Sequence, residues 1–213
     1  MIGLFIKDFR ILLSRKQGYV ILLLVSVLMG FSSGISFQIG YVTFLGCILA
    51  TGTISYDEFD NGMAFLMTLP IDVKQYIKEK YMFCLASTLV GWVISICLAF
   101  VTGLIKGYPV TATDIVQSLI MIPIAFAMSI VIIPFFLKYG AEKGRFMMII
   151  FGVGIIAIFK LGVQLMNLGS VASLIQSHPV PDVVCLVLAI IVVAVLCMIS
   201  YVCSSHIMMK KQY

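Results

Sequence analysis

Apolar residues fill most of the chain in long runs, and charged residues separate these runs. No Asp, Glu, Lys or Arg occurs within 17–56, and further charge-free runs cover 81–105, 115–137 and 183–209. A helix needs about 20 mostly apolar residues to cross a bilayer. The first run is long enough for two crossings, which the polar residues around Gly34 would separate. The pattern predicts an all-α membrane protein, a bundle of six transmembrane helices at about 18–36, 38–56, 81–105, 114–137, 146–167 and 182–204.

Basic residues collect on one side of this predicted bundle. They precede the first crossing, occupy the loops after the second and fourth crossings, and follow the sixth. The opposite loops contain Lys106 as their only Lys or Arg. Because Lys and Arg accumulate in cytoplasmic loops, we expect both termini to be cytoplasmic. The cytoplasmic set is Lys7, Arg10, Arg15, Lys16, Lys74, Lys78, Lys80, Lys138, Lys143, Arg145, Lys210 and Lys211.

The segment before the first crossing, 1–17, has its own helical pattern. Six apolar residues recur at helical spacing, and polar residues, Asp8 among them, fall on the other side. Such a helix lies in the membrane interface with its apolar face toward lipid. The alternative is a basic tail that only sets the orientation. The apolar set is Ile2, Phe5, Ile6, Phe9, Leu12 and Leu13.

The loop 57–80 is the longest predicted cytoplasmic segment. Its acidic start favours a helix N-terminus and Pro70 favours a helix end, so we expect a short helix between them. Asp72, with Gln75 in capping-box position, predicts a second helix that continues into the third crossing. The short helix would either bind in a groove of a soluble partner or lie on lipid headgroups, and the pattern does not decide between these. It would display Phe59, Met63, Phe65, Leu66 and Met67.

Composition excludes several classes of protein. Of the 213 residues, 62% are hydrophobic and 11% are charged, which is too little charge to cover a water-facing surface. The net charge of +5 is divided among short clusters between apolar runs, which indicates membrane topology rather than nucleic-acid binding. The six cysteines lack Cys-x-x-Cys spacing, so we interpret them as packing residues rather than metal ligands or disulfides. No phosphate-binding loop of the G-x-x-x-x-G-K-[ST] type occurs, so a partner would have to bind any nucleotide.

Lys160 is a charged residue inside the predicted fifth crossing. It lies about 20 Å along the helix from its cytoplasmic end. A charge at this depth is costly and indicates a substrate pathway or a paired ion. Alternatively, the side chain extends to the outer headgroups.

Three motifs stand out within 56–81: Tyr56-Asp57-Glu58, Thr68-Leu69-Pro70-Ile71 and Tyr76-Ile77-Lys78-Glu79-Lys80-Tyr81. Together they resemble the cytoplasmic loop of type-two ATP-binding-cassette exporter permeases. The most similar group is the small bacterial permeases that include the phenol-soluble-modulin exporter. The layout of interfacial helix, six crossings and cytoplasmic termini agrees along the whole chain.

This resemblance implies a transport role without catalysis in this chain. The short helix would be a coupling helix that binds a separately encoded ATPase, and ATP and magnesium would belong to that partner. Two ATPase chains would serve two permease chains, identical or related, in a bacterial plasma membrane, and 168–181 would form an outer re-entrant segment. The cargo would be an amphipathic peptide or lipid-like molecule. The implied coupling residues are Asp57, Glu58, Phe59, Asp60, Met63, Phe65, Leu66, Met67, Leu69 and Pro70.

Two other functions fit a bundle of this kind. A self-sufficient secondary carrier or channel would need ion-coupling charges within its crossings, where the sequence offers Lys160 alone. A membrane assembly protein without a transport role is the second alternative.

Overall fold

The computed structural model describes residues 2–14, 16–58, 62–68, 72–107, 110–167 and 182–210, and for much of 141–167 it describes the helical backbone alone. Every regular element in these ranges is a helix. Four stretches are long and apolar enough to cross a membrane: Ile35–Glu58, Val73–Lys106, Asp114–Gly140 and Leu186–Lys210; Val20–Ser32 is a shorter apolar helix. The helical membrane fold is therefore confirmed for the described residues, and the count of six crossings stays a prediction. The helices are α1 (Ile2–Ser14), α2 (Lys16–Ser33), α3 (Ile35–Glu58), α4 (Gly62–Thr68), α5 (Val73–Lys106), α6 (Ala112–Ser118), α7 (Met121–Asn167) and α8 (Asp182–Lys210).

Helices α3 and α5 form the centre of the bundle and approach each other closely. A side chain at Gly46 would come within 2.6 Å of the Ser87 carbonyl oxygen, and one at Gly91 within 3.1 Å of the Val42 carbonyl oxygen. The Ser87 hydroxyl donates to the Gly46 carbonyl at 2.7 Å. Small residues allow such close packing of membrane helices. Around this pair, α2 and α7 pack against α3, and α8 packs against α7 and α5.

Helix α5 runs without a break from Val73 into the bundle and ends at Lys106. Asp72 is at its N-cap, as the pattern predicts, but the Asp72 side chain makes no cap hydrogen bond. Its backbone carbonyl accepts from the amides of Gln75 and Tyr76 instead. At the other end, the Lys106 ammonium donates to the carbonyls of Gly30 and Phe31, at 2.8 and 2.6 Å. Lys106 therefore satisfies carbonyls near the end of α2, which have no partner within that helix.

Two prolines shape the stretch predicted as the fourth crossing. This stretch contains two helices rather than one, because α6 ends at Ser118 and α7 begins at Met121. Pro123 has no N–H to donate to the carbonyl four residues earlier, so the helix is interrupted there. Pro134 lies inside α7 and likewise leaves the Ile130 carbonyl without its helical donor. The Ser200 hydroxyl of α8 donates to that carbonyl, so a side chain replaces the missing backbone bond.

Helix α7 has one non-helical residue, Gly140, with φ 82° and ψ 174°. This conformation is almost exclusive to glycine. A side chain here would approach Glu58 Oε2 to 3.1 Å, so the chain turns beside the end of α3. Lys160 lies on the helical backbone beyond this turn, but its side chain is outside the described residues, as is the predicted re-entrant segment 168–181.

Candidate functional site

A cluster of four charged side chains lies where α1, α3 and α5 meet. It consists of Lys7 and Asp8 on α1, Asp57 on α3 and Lys80 on α5, and we call it the charge cluster. The side chains of Asp8, Lys80 and Asp57 are 0%, 1% and 3% exposed, and that of Lys7 is 29% exposed. The cluster lies at the end of the bundle that also holds α4, which we call the inner end. This is the end that the sequence predicts to be cytoplasmic.

Each lysine of the charge cluster contacts both aspartates. Lys80 Nζ lies 2.7 Å from Asp57 Oδ2 and also pairs with Asp8. Lys7 Nζ lies 3.2 Å from Asp8 Oδ1 and also pairs with Asp57. Two cations and two anions balance, which buried ions require because desolvation penalises any unpaired charge. The cluster therefore joins three helices that are far apart in sequence.

Neutral groups complete the charge cluster. The Tyr76 hydroxyl donates to Asp57 Oδ2 at 2.9 Å, and the Thr53 hydroxyl lies 3.1 Å from Asp8 Oδ2. Lys80 Nζ also lies 5.2 Å from the centroid of the Tyr76 ring. These contacts hold each carboxylate in one position, so the three helices are fixed in register.

Helix α1 is oriented differently from the sequence prediction. We expected Asp8 on the solvated polar face, but it is fully buried, because Lys80 and Thr53 hold its carboxylate inside the bundle. Phe5 packs edge-on against Phe83 of α5, with ring centroids 5.1 Å apart. The apolar residues are thus divided between the bundle and an outward face, where lipid would lie next to an interfacial helix. The outward set, each about half exposed, is Ile6, Phe9 and Leu13.

Helix α4 is the predicted short loop helix. Met63 and Leu66 are 3% and 9% exposed and pack into the core, whereas Phe65 is 69% exposed. The expectation that the helix displays all three is therefore wrong for Met63 and Leu66. Residues three apart share one helix face, and this face lies against the bundle, so Phe65 points away from it.

The acidic start of the predicted loop belongs to α3. Asp57 and Glu58 are its last two residues, and Asp57 turns inward to the charge cluster rather than toward a partner. A side chain at Gly62 would lie 2.8 Å from the Asp57 carbonyl oxygen, so α4 begins directly against the end of α3. Of the other implied coupling residues, Phe59, Asp60, Leu69, Pro70 and the Met67 side chain lie outside the described residues.

Sequence reasoning missed the charge cluster. Lys80 was interpreted as a topology signal and Asp57 as a loop residue, yet both are buried on helices long enough to cross a membrane. One signal was available, because Asp8 is an isolated acid in a basic amphipathic segment.

Paired buried charges, apolar helices of membrane-crossing length and closely packed glycines define a multi-pass helical membrane protein. The family model described as ABC-2 family transporter protein matches residues 3–209, and the chain belongs to this family. The protein is therefore the membrane permease component of an ABC transporter, a transport subunit that works with an ABC ATPase. Comparison with curated proteins and with solved structures finds no match.

Proposed function

We propose that this permease exports amphipathic peptide or lipid-like cargo across a bacterial plasma membrane, with both its termini in the cytoplasm. Two copies of an ATPase subunit would bind ATP and magnesium and drive two permease chains, identical or related. Helix α4 would be the coupling helix that binds the ATPase. The resemblance of 56–81 to the phenol-soluble-modulin exporter group supports the direction of transport and the class of cargo.

The observation that carries this proposal is the position of Phe65. Helix α4 is anchored by Met63 and Leu66 and presents an aromatic ring outward at the inner end of the bundle. Buried aromatic anchors contribute a large share of binding energy when a partner groove receives them. The ring also suits the alternative placement of α4 on lipid headgroups, so the binding experiment below has to distinguish the two.

The charge cluster supports a mechanical role for the inner end. Because it joins α1, α3 and α5 beside α4, a force on Phe65 would move these helices together rather than bend one of them. The close contact of Gly46 with α5 carries this connection along the bundle. At the far end, the Thr102 hydroxyl donates to Gln38 Oε1 at 2.8 Å, which again ties α5 to α3. In the proposed mechanism, the joined helices tilt when the ATPase subunits close, and a cavity between the two permease chains opens outward.

The cargo pathway would use apolar and flexible side chains, which tolerate varied shapes. Lys160 stays a candidate for this pathway, because a lysine deep in a crossing is costly unless it has a partner or a role in transport.

Co-purification with the ABC ATPase that serves this permease tests the proposal. Phe65→Ala should weaken capture of the ATPase at least about 30-fold, the loss typical of an aromatic anchor. Membrane insertion and thermal stability should not change, because the ring lies outside the core. Thr68→Ala changes another exposed residue of α4 and should retain capture.

Two results would contradict the proposal. Undiminished capture by the Phe65→Ala variant would place α4 on the membrane surface instead of in a partner groove. Cargo movement by the purified chain in vesicles without any ATPase would favour a secondary carrier.

A further inference from the structure

A groove of about 770 Å³ lies between α5, α7 and α8, and no residue of the charge cluster lines it. Its walls are almost entirely apolar, with Met82 on α5, Phe126 on α7 and Ile190 on α8 among them. The charged residue that lines it is Lys78. The volume is within the range of about 300–1,000 Å³ that small-molecule sites occupy.

The long axis of the groove runs across the predicted membrane. Lys78 and Tyr201 line its inner end, and Leu119 and Leu186 line the opposite end. The distance along α8 from Leu186 to Tyr201 is about 22 Å at 1.5 Å per residue. The hydrocarbon layer of a bilayer is about 30 Å thick. The groove therefore covers most of this thickness, with a cation at its inner end.

The hydroxyl of Tyr81, which also lines the inner end of the groove, is hydrogen-bonded within the protein. The Ser200 hydroxyl donates to the Ile130 carbonyl, so the Tyr81 hydroxyl is the donor in its 2.6 Å bond to Ser200. Tyr81 also lies 3.0 Å from the Ser204 hydroxyl. Lys78 is exposed, and no carboxylate pairs with it in the described part of the chain. It is thus available to an anionic group from outside.

We propose that this groove binds one anionic phospholipid of the inner leaflet, with its phosphate at Lys78 and an acyl chain between α5, α7 and α8. Basic residues at this depth attract anionic headgroups, and Tyr81 and Tyr201 suit the headgroup boundary. Only 6% of an 18-residue apolar stretch within Leu186–Lys210 is buried by the rest of the protein. A lipid in the groove would therefore add packing to α8. This site does not depend on the ATPase or on the proposed cargo.

Thermal unfolding of the purified full-length chain in neutral detergent tests the headgroup. Added phosphatidylglycerol should raise Tm by several degrees more than phosphatidylcholine does. Lys78→Gln should remove this difference, whereas Lys74→Gln, an exposed lysine of α5 outside the groove, should retain it. An equal response of the unchanged chain to both lipids, or an unchanged preference in the Lys78→Gln variant, would overturn the proposal.

Photocrosslinking tests the acyl chain without any variant. Phosphatidylglycerol with a photoreactive acyl chain should label Ile190 and Met198, which line the groove, far more than Val192 and Ile199, which are exposed on the opposite side of α8. Equal labelling of both pairs would indicate ordinary surrounding lipid and would overturn the proposal. Crosslinking of the groove residues to a second copy of the chain would do the same.

Discussion

Lys80 offers the sharpest test of the charge cluster. It is buried on α5 and pairs with Asp8 of α1 and Asp57 of α3, so it holds two other helices at once. Lys80→Met keeps a flexible side chain of similar length and removes the charge. Two carboxylates then share Lys7 as their only cation within the described residues. Glu79 is also buried beside them, and neither of its carboxyl oxygens has a hydrogen-bond partner within the described residues.

The expected loss follows from the charge that stays buried. Removing one partner of a buried ion pair costs about 3–5 kcal/mol, because the remaining ion is neither solvated nor paired. That is a large share of a total stability of about 5–15 kcal/mol. At roughly 2–4 °C per kcal/mol for a chain of this size, Tm should fall by about 6–20 °C.

Thermal unfolding in detergent measures this loss, with Lys74→Met as the matched control. Lys74 is exposed on the same helix and loses the same charge, so its Tm should change little. Adding Asp8→Asn to Lys80→Met should recover part of the stability, because Lys7 and Asp57 then balance each other. A Lys80→Met variant as stable as the control would refute the argument, and so would an Asp8→Asn change that deepens the loss.

Two further predictions concern α7. Ser200→Ala should destabilise the bundle by about 1–3 kcal/mol because the Ile130 carbonyl loses its donor. In a Pro134→Ala background the restored backbone N–H should reduce that loss. Equal losses in both backgrounds, measured by unfolding, would contradict this account. Gly140→Ala should lower the free energy of unfolding by about 1–3 kcal/mol because the backbone conformation of Gly140 excludes a side chain. Gly52→Ala, at a helical position with open space, should be neutral or slightly stabilising by the same measurement. Similar effects at the two sites would argue against a strained turn.

The helices were the predictable part of the fold. A charge-free apolar run predicts a helix because lipid offers the backbone no hydrogen-bond partners, so each segment must satisfy its own amides. This reasoning uses each segment by itself, and it predicts residue bounds for α3 and α8 that are close to the observed ones. The apolar run 115–137 alone does not predict the break before Met121, because that break depends on the missing N–H of Pro123.

The candidate site was predictable only in outline. The sequence predicts the short helix α4, but not which residues it exposes, because Met63 and Leu66 are buried by α4 packing against the bundle. The Phe65 side chain is exposed only because α4 packs against the bundle through its other face. The groove beside Lys78 was likewise not predictable, since its three walls come from separate helices.

The amino-acid order alone established a helical membrane protein, because the bilayer imposes its requirement on each apolar segment separately. It also predicts the sidedness from the basic loops, and it predicts the short helix between two long ones, which the structure contains. The fold decided which charges are buried. Asp8 and Lys80 are 72 positions apart in the sequence. The sequence pattern puts Asp8 on a basic helix face and Lys80 in a loop, and they form a buried ion pair only because α1 packs against α5. Charge pairing is a contact between distant parts of the chain, so no local pattern could reveal it.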